Sequence, residues 1–253
     1  MYTDTHVHFD FPEYDQDRSQ TIESARQAGV GLFINVGTDV EGSKKSLQLA
    51  EQYPDFYASA GIHPHDAQHA DAKRLQEIET ILQHPRMVAI GEVGLDFFRE
   101  HSPREKQIEV FRHFLKLHHK IKKPMIIHCR DAYSEMMQVL QEEKVKQGIM
   151  HCFSSDRDTL EEFVEMGFYI SFAGPLTYKK NDALREACRA CPRDRLLLET
   201  DAPFLPPQSQ RGKRNESAFL LETARMAAGL QGISMEELGR MTTANAKAVL
   251  RLC

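Results

Sequence analysis

The sequence predicts an α/β protein, a TIM-type (β/α)8 barrel occupying residues 1–253 as a single domain. Three observations lead there. Eight apolar runs of strand length alternate with amphipathic stretches of helical length, the pattern of successive parallel βα units. No long linker, repeat or low-complexity tract interrupts them, and 253 residues with 41% apolar content suit one large core. Histidines and carboxylates recur where the apolar runs end, which is where barrel enzymes carry their chemistry. The competing architecture is an open doubly wound sheet. Neither G-x-G-x-x-G nor G-x-x-x-x-G-K-[ST] follows the first strand, which counts against that alternative.

The first strand is read at 2–7 and runs into Thr5-His6-Val7-His8. Side chains two apart on a strand share a face, so His6 and His8 project together, roughly 6.6 Å apart by the strand rise. One metal ion can take both, and neutral imidazole suits zinc, iron, manganese or nickel. Helices over 18–28 and 44–52 flank a strand at 31–36, and the third strand, 56–61, leads into Gly61-Ile62-His63-Pro64-His65. After a helix over 73–82, the fourth strand, 87–91, ends in Gly91-Glu92-Val93-Gly94-Leu95-Asp96. A helix over 105–120 precedes the fifth strand, 124–128, which ends in His128-Cys129-Arg130-Asp131. The sixth, 148–151, follows a helix over 133–142 and ends in His151-Cys152-Phe153. Helices over 159–165 and 182–190 surround a seventh strand at 168–172, and the eighth, 195–199, closes on Glu199-Thr200-Asp201 before helices over 218–228 and 235–252. By contrast His84, His113, His118 and His119 fall at helical positions.

Two imidazoles, a carboxylate, two further imidazoles and a second carboxylate, each set at a strand end, are enough for two divalent cations. Such ions sit roughly 3.5–4 Å apart and need a shared anion against their repulsion. The reading places His6, His8 and Asp201 on one ion and His128 and His151 on the other, with Glu92 and a water or hydroxide between them. Asp201 can also take the proton of that water. Mixed nitrogen and oxygen donors fit magnesium, manganese or zinc.

These segments, with Phe97, Ala132, Ser154 and the run Ala202-Pro203-Phe204-Leu205, resemble the successive signatures of TatD-type metal-dependent hydrolases. The resemblance runs in order from residue 4 to Arg211-Gly212-Lys213-Arg214-Asn215-Glu216. It implies a distorted barrel of the amidohydrolase superfamily, two or three divalent cations, and hydrolysis of phosphodiester bonds in DNA. The family is described as deoxyribonucleases, including 3′→5′ exonuclease action on single strands, and D-aminoacyl-tRNA deacylation has been proposed for some members. Related phosphotriesterase-like enzymes bridge their ions with a carboxylated lysine, whereas Glu92 needs no modification. One departure is visible: Ser217 stands where relatives often have proline, and is expected to alter a loop or helix start.

Other residues are read against a structural alternative. His63 is expected to contact a substrate phosphate, the alternative being a turn held by Pro64. His65 is balanced between the site and solvent. Arg130, two after His128, faces the same side and could grip phosphate bidentately or pair with Glu199 or Asp131. Asp96 and Glu199 could orient a histidine ligand, and Asp96 could instead hold a further cation. Arg211, Lys213 and Arg214, with Lys179 and Lys180, make a basic cluster where a phosphate-rich substrate would be drawn. Phe97, Phe98, Phe153 and Phe204 could stack on bases, though packing is the expected role for most of them.

A net charge of −5 argues against broad nonspecific nucleic-acid binding through a basic surface. No 18-residue apolar run exists and residues 1–20 lack the pattern of an export signal, so a cytoplasmic protein without membrane contact is expected. The five cysteines do not resemble a disulfide framework. Cys188 and Cys191 form a C-x-x-C without a partner pair and read as helix, while Cys129 and Cys152 are expected to pack in the core. DNA or another phosphodiester is the expected partner, with no obligate protein partner. A carboxylic ester or amide hydrolase and a catalytically silent nucleic-acid-binding barrel are the alternatives.

Overall fold

The computed structural model describes residues 1–252, so Cys253 lies outside it. Among the described residues, the strands are β1 (Tyr2–Val7), β2 (Val30–Val36), β3 (Phe56–Ala60), β4 (Met87–Asp96), β5 (Met125–Arg130), β6 (Ile149–Met150), β7 (Tyr169–Phe172) and β8 (Leu196–Leu198). All neighbouring pairs are parallel and the order in the sheet is the order in the sequence. Sequential parallel order excludes a doubly wound sheet, in which the order reverses at a switch point. The circle closes at a thin seam, a parallel bridge between Val7 and Ala202 with the His8 amide donating to the Ala202 carbonyl at 2.8 Å. The result is a nearly closed (β/α)8 barrel.

The helices are α1 (Arg18–Gln27), α2 (Val40–Gln52), α3 (Ala72–Ile81), α4 (Arg104–Ile121), α5 (Tyr133–Glu142), α6 (Arg157–Glu165), α7 (Asp182–Ala190), α8 (Leu220–Gln231) and α9 (Met235–Leu250). Their starts are fixed locally: Asp39, Asp71, Asp156 and Ser234 each accept a first-turn amide at the N-termini of α2, α3, α6 and α9. The apolar face of each turns to the sheet, so that Ile22, Phe114, Met136, Leu160 and Val249 are buried. No helix among the described residues is long and apolar enough to cross a membrane.

The element count follows the sequence reading, with one informative difference. The fourth strand continues through Glu92 to Asp96 instead of stopping at Gly91. Its register against β5 shifts between Ile90 and Val93, and Gly94, at φ 147°, allows β5 to approach so closely that a Cβ there would lie 2.0 Å from the His128 carbonyl oxygen. Glu92 and Asp96 therefore stand on a strand. Cys188, within α7, and Cys191, just past its end, are buried free thiols, and Cys129 is buried in the core. Cys152 differs from expectation: it turns into the left-handed region at φ 42° and is only partly covered.

Candidate metal centre

The C-terminal ends of the strands bring the expected residues into one cluster. His6 and His8, on and just past β1, meet with their Nε2 atoms 3.1 Å apart. The seam sets Asp201 beside them, its Oδ1 3.7 Å from His6 Nε2 and 3.5 Å from His8 Nε2. Glu92 reaches in from β4 and divides its two oxygens. Oε2 lies 3.3 Å from His6 Nε2 and 3.8 Å from His8 Nε2, whereas Oε1 lies 2.8 Å from His128 Nδ1 and 3.0 Å from His151 Nε2. One carboxylate thus joins two donor groups, His6, His8 and Asp201 on one side and His128 and His151 on the other.

Three of these imidazoles are oriented by what they touch on the far side. His8 Nδ1 donates to the Val36 carbonyl at 2.7 Å, His151 Nδ1 to Glu199 at 3.0 Å, and His128 Nε2 to Asp96 at 3.0 Å. In the neutral ring, each outward donor leaves a lone pair on the inward nitrogen, the form a cation requires. Asp96 also receives His65, at 2.9 Å, which places His65 at the site's edge and not in free solvent. Glu199 accepts the Cys152 amide as well, at 2.9 Å.

His63 has the opposite polarity. Its Nδ1 accepts the His65 amide at 3.1 Å, so in the neutral ring the proton sits on Nε2, which faces Glu92 Oε1 at 3.4 Å. Burial keeps that ring neutral by lowering its pKa to about 4. His63, Glu92 and His128 lie close enough together to share an ion, but while Nδ1 accepts the His65 amide the neutral His63 ring turns an N–H toward the site.

The donor set fits divalent cations. Among the described residues the ion-pair partners of Glu92 and Asp201 are imidazoles alone, with no lysine or arginine to balance two carboxylates in a buried place. Burial works to raise the Glu92 pKa, but His151, His63 and His6 together with the His128 hydrogen bond hold it well below the usual range. Burial would likewise lower His8, yet Asp201 and Glu92 overcome it and push His8 up to about 9. A cation taking His8 Nε2 displaces that proton. His6, fully buried and beside His151, is lowered instead.

The residues expected to meet substrate are arranged around this cluster. The Arg130 guanidinium lies 3.9 Å over the Phe98 ring and makes no ion pair with Glu199 or Asp131. Arg211 sits 4.6 Å over Tyr178 and Lys213 donates to Gln210, both exposed and without a carboxylate partner among the described residues. Arg214 departs from the expected basic cluster: two bonds to Asp17 and one to Glu216 tie it down as a structural clasp. Phe97 and Phe153 are buried, as expected of packing residues, while Phe98 and Phe204 are exposed. Ser217 begins a short 3₁₀ turn, and its hydroxyl donates at 2.6 Å to buried Asp4, which also accepts the amide and hydroxyl of Thr200. The pattern of residue types gave no hint of that network.

A family model described as TatD related DNase matches residues 3–251. The chain belongs to the TatD family. It is 39% identical over 254 residues to the uncharacterized metal-dependent hydrolase YabD of Bacillus subtilis, covering 100% of both chains. It is 35% identical over 257 residues to the 3′-5′ ssDNA/RNA exonuclease TatD of Erwinia tasmaniensis, covering 98% of this chain and 99% of that one. The crystal structure of the TatD homologue YJJV of Escherichia coli superposes with a TM-score of 0.95 at 30% identity, covering 100% and 98% of the two chains. An organophosphorus hydrolase, at TM-score 0.65 and 14% identity, shares the fold. The protein is therefore a TatD-family metal-dependent hydrolase acting on ester bonds, with histidine and carboxylate groups able to hold metal ions.

Proposed function

We propose that this TatD-family hydrolase is a nuclease that cleaves phosphodiester bonds in single-stranded DNA, acting from the 3′ end, with the whole chain working as one catalytic domain in the cytoplasm. The observation that carries the reading is the division of Glu92 between the two donor groups, Oε1 at 2.8 Å from His128 and Oε2 at 3.3 Å from His6. The relatives named as 3′-5′ exonucleases support the nucleic-acid substrate.

On this reading His6, His8 and Asp201 would hold one divalent cation and His128 and His151 a second, with Glu92 offering an oxygen to each group; magnesium, manganese and zinc all suit the donors. Bound cations would lower the pKa of a water and neutralise charge developing on the phosphoryl group. Asp201, the more open of the two carboxylates, receives the proton of the attacking water. His63 directs its Nε2–H at a phosphate oxygen, as a neutral donor fixed by the His65 amide. Arg130, Arg211 and Lys213 draw and seat the flanking phosphates.

The test strips the protein with a chelator, restores magnesium, manganese or zinc, and compares cleavage of an end-labelled single strand with hydrolysis of an aminoacyl ester. Metal-dependent shortening of the strand from its 3′ end is expected. Ester turnover without strand cleavage would replace the nuclease reading by the carboxylic ester alternative.

A further inference from the structure

Three large apolar side chains stand exposed among the described residues: Met1, Phe98 at 57% and Phe204 at 46%. The two aromatics both border the metal centre. Phe204 follows Asp201 by three residues, and its backbone is pinned at both ends: its amide donates to the Asp201 carbonyl at 2.8 Å and its carbonyl accepts Asn215 Nδ2 at 2.6 Å. Its ring is edge-on to Phe11 at 5.8 Å and to His8 at 6.2 Å, and Phe11 in turn stacks on His8 at 4.7 Å. Phe98 follows Asp96 by two, its amide held by Asp96 Oδ1 at 3.1 Å and one ring face covered by Arg130. Both backbones are fixed while the rings are presented to solvent, so their exposure is built into the site.

They follow β4 and β8, strands four apart in the nearly closed order of eight, which therefore lie on opposite sides of the barrel mouth. Between them lie Glu92 and the two donor groups. Arg130 lies against the Phe98 ring, and on the β8 side Arg211, seven residues after Phe204, lies over Tyr178; neither guanidinium has a carboxylate partner among the described residues. An exposed aromatic ring on each side of a phosphodiester site, with a guanidinium lacking a carboxylate partner among the described residues on each side as well, matches a nucleotide, whose base offers a π face and whose phosphate offers the charge.

We propose that Phe98 and Phe204 are base-stacking platforms on the two sides of the reacting phosphodiester, so that the strand is gripped by the bases flanking the bond that breaks. The inference rests on the nuclease reading and deepens it. It makes single-strandedness a requirement of the site, because in a duplex each base already has its faces covered by its neighbours. Sequence preference stays low, since every base has a π face.

The experiment pairs the rings with the bases they would touch. In the metal-loaded enzyme, Phe204→Ala and Phe98→Ala are each expected to raise KM for a single strand about tenfold while leaving kcat within about threefold, and Phe204→Trp and Phe98→Tyr to restore it. Replacing the flanking nucleotide on one side by an abasic sugar should cost the wild type the same factor, and the matching alanine variant should then lose nothing more. A 2-aminopurine placed beside a non-hydrolysable phosphonate reads the contact without turnover, its emission quenched by the wild type and recovered in the alanine variant. Equal losses on intact and abasic strands, or a fall in kcat with KM unchanged, would overturn the proposal while leaving the nuclease reading intact. If the loaded wild type cleaves no strand at all, the nuclease reading fails first and takes this one with it.

Discussion

The amide of Asp201 donates to the carbonyl of His6 at 2.9 Å, across the seam where the barrel closes. That bond joins the first and last strands and places the carboxylate that ends one beside the histidine pair that ends the other. Closure of the fold and assembly of the first donor group are the same event, and most of what can be tested follows from it.

Glu92→Gln keeps the shape of the side chain but removes the charge shared by the two donor groups. Activity toward a single strand is expected to fall by about 100-fold or more, and the metal retained after gel filtration, read by mass spectrometry, to drop by at least one ion per chain. Full activity in this variant would remove Glu92 from the mechanism.

Asp96 accepts His128 Nε2 at 3.0 Å and His65 Nε2 at 2.9 Å, so it holds the ring that turns Nδ1 to Glu92. Asp96→Asn should weaken cation binding about 10- to 100-fold, the usual effect of losing a partner behind a histidine ligand. Calorimetric titration with manganese checks it, and an unchanged affinity would make Asp96 a packing residue.

Asp4 has a pH signature. Burial, partly countered by the Ser217 and Thr200 hydroxyls, raises its pKa to about 7 from an ordinary value of 3.8. The folded chain therefore holds this proton more tightly than the unfolded chain between those values, and the group's contribution to stability is largest in acid and is lost as pH rises toward 7. In urea unfolding of chelator-treated protein, the stability of wild type relative to Asp4→Asn should decline from pH 4 to pH 7. A difference that fails to decline over that range would show that the folded carboxylate is already ionised near pH 4.

Gly94→Ala meets both a left-handed backbone and a contact of 2.0 Å with the His128 carbonyl oxygen. Neither strand can yield without breaking the β4–β5 ladder, so a loss of about 3 kcal/mol or more is expected in chemical denaturation. A loss under about 1 kcal/mol would mean that the ladder can part there at little cost.

Arg211 and Lys213 have no carboxylate partners among the described residues, so their charge is available to phosphates. Arg211→Gln and Lys213→Gln should each reduce the slope of log affinity against log salt for a single strand by about 0.7. An unaltered slope would return both to a solvated loop.

Much of this site could be read before the fold was seen, because residue type and position at a strand end carry the information. His6, His8, Glu92, His128, His151 and Asp201 were expected together, and the barrel brings them together. What escaped the sequence depends on backbone groups and distant neighbours. The length of β4 rests on a register shift beside Gly91 and Gly94 that no periodicity reveals. The donor character of His63 comes from the His65 amide, which every residue but proline has. The bond from Ser217 to Asp4 spans 213 residues, and the same residue read alone suggested only an altered loop or helix start. Arg214 looked like one more basic loop residue until Asp17, on another strand–helix unit, was seen to claim it.

The central claim is that Glu92 joins two cations, one held by His6, His8 and Asp201 and the other by His128 and His151. Anomalous diffraction from crystals grown with manganese tests it most directly. The account predicts two peaks flanking the Glu92 carboxylate, one in contact with each of its oxygens, with His63 outside both coordination spheres. A single peak, or a pair that leaves Glu92 bound to only one of them, would contradict it.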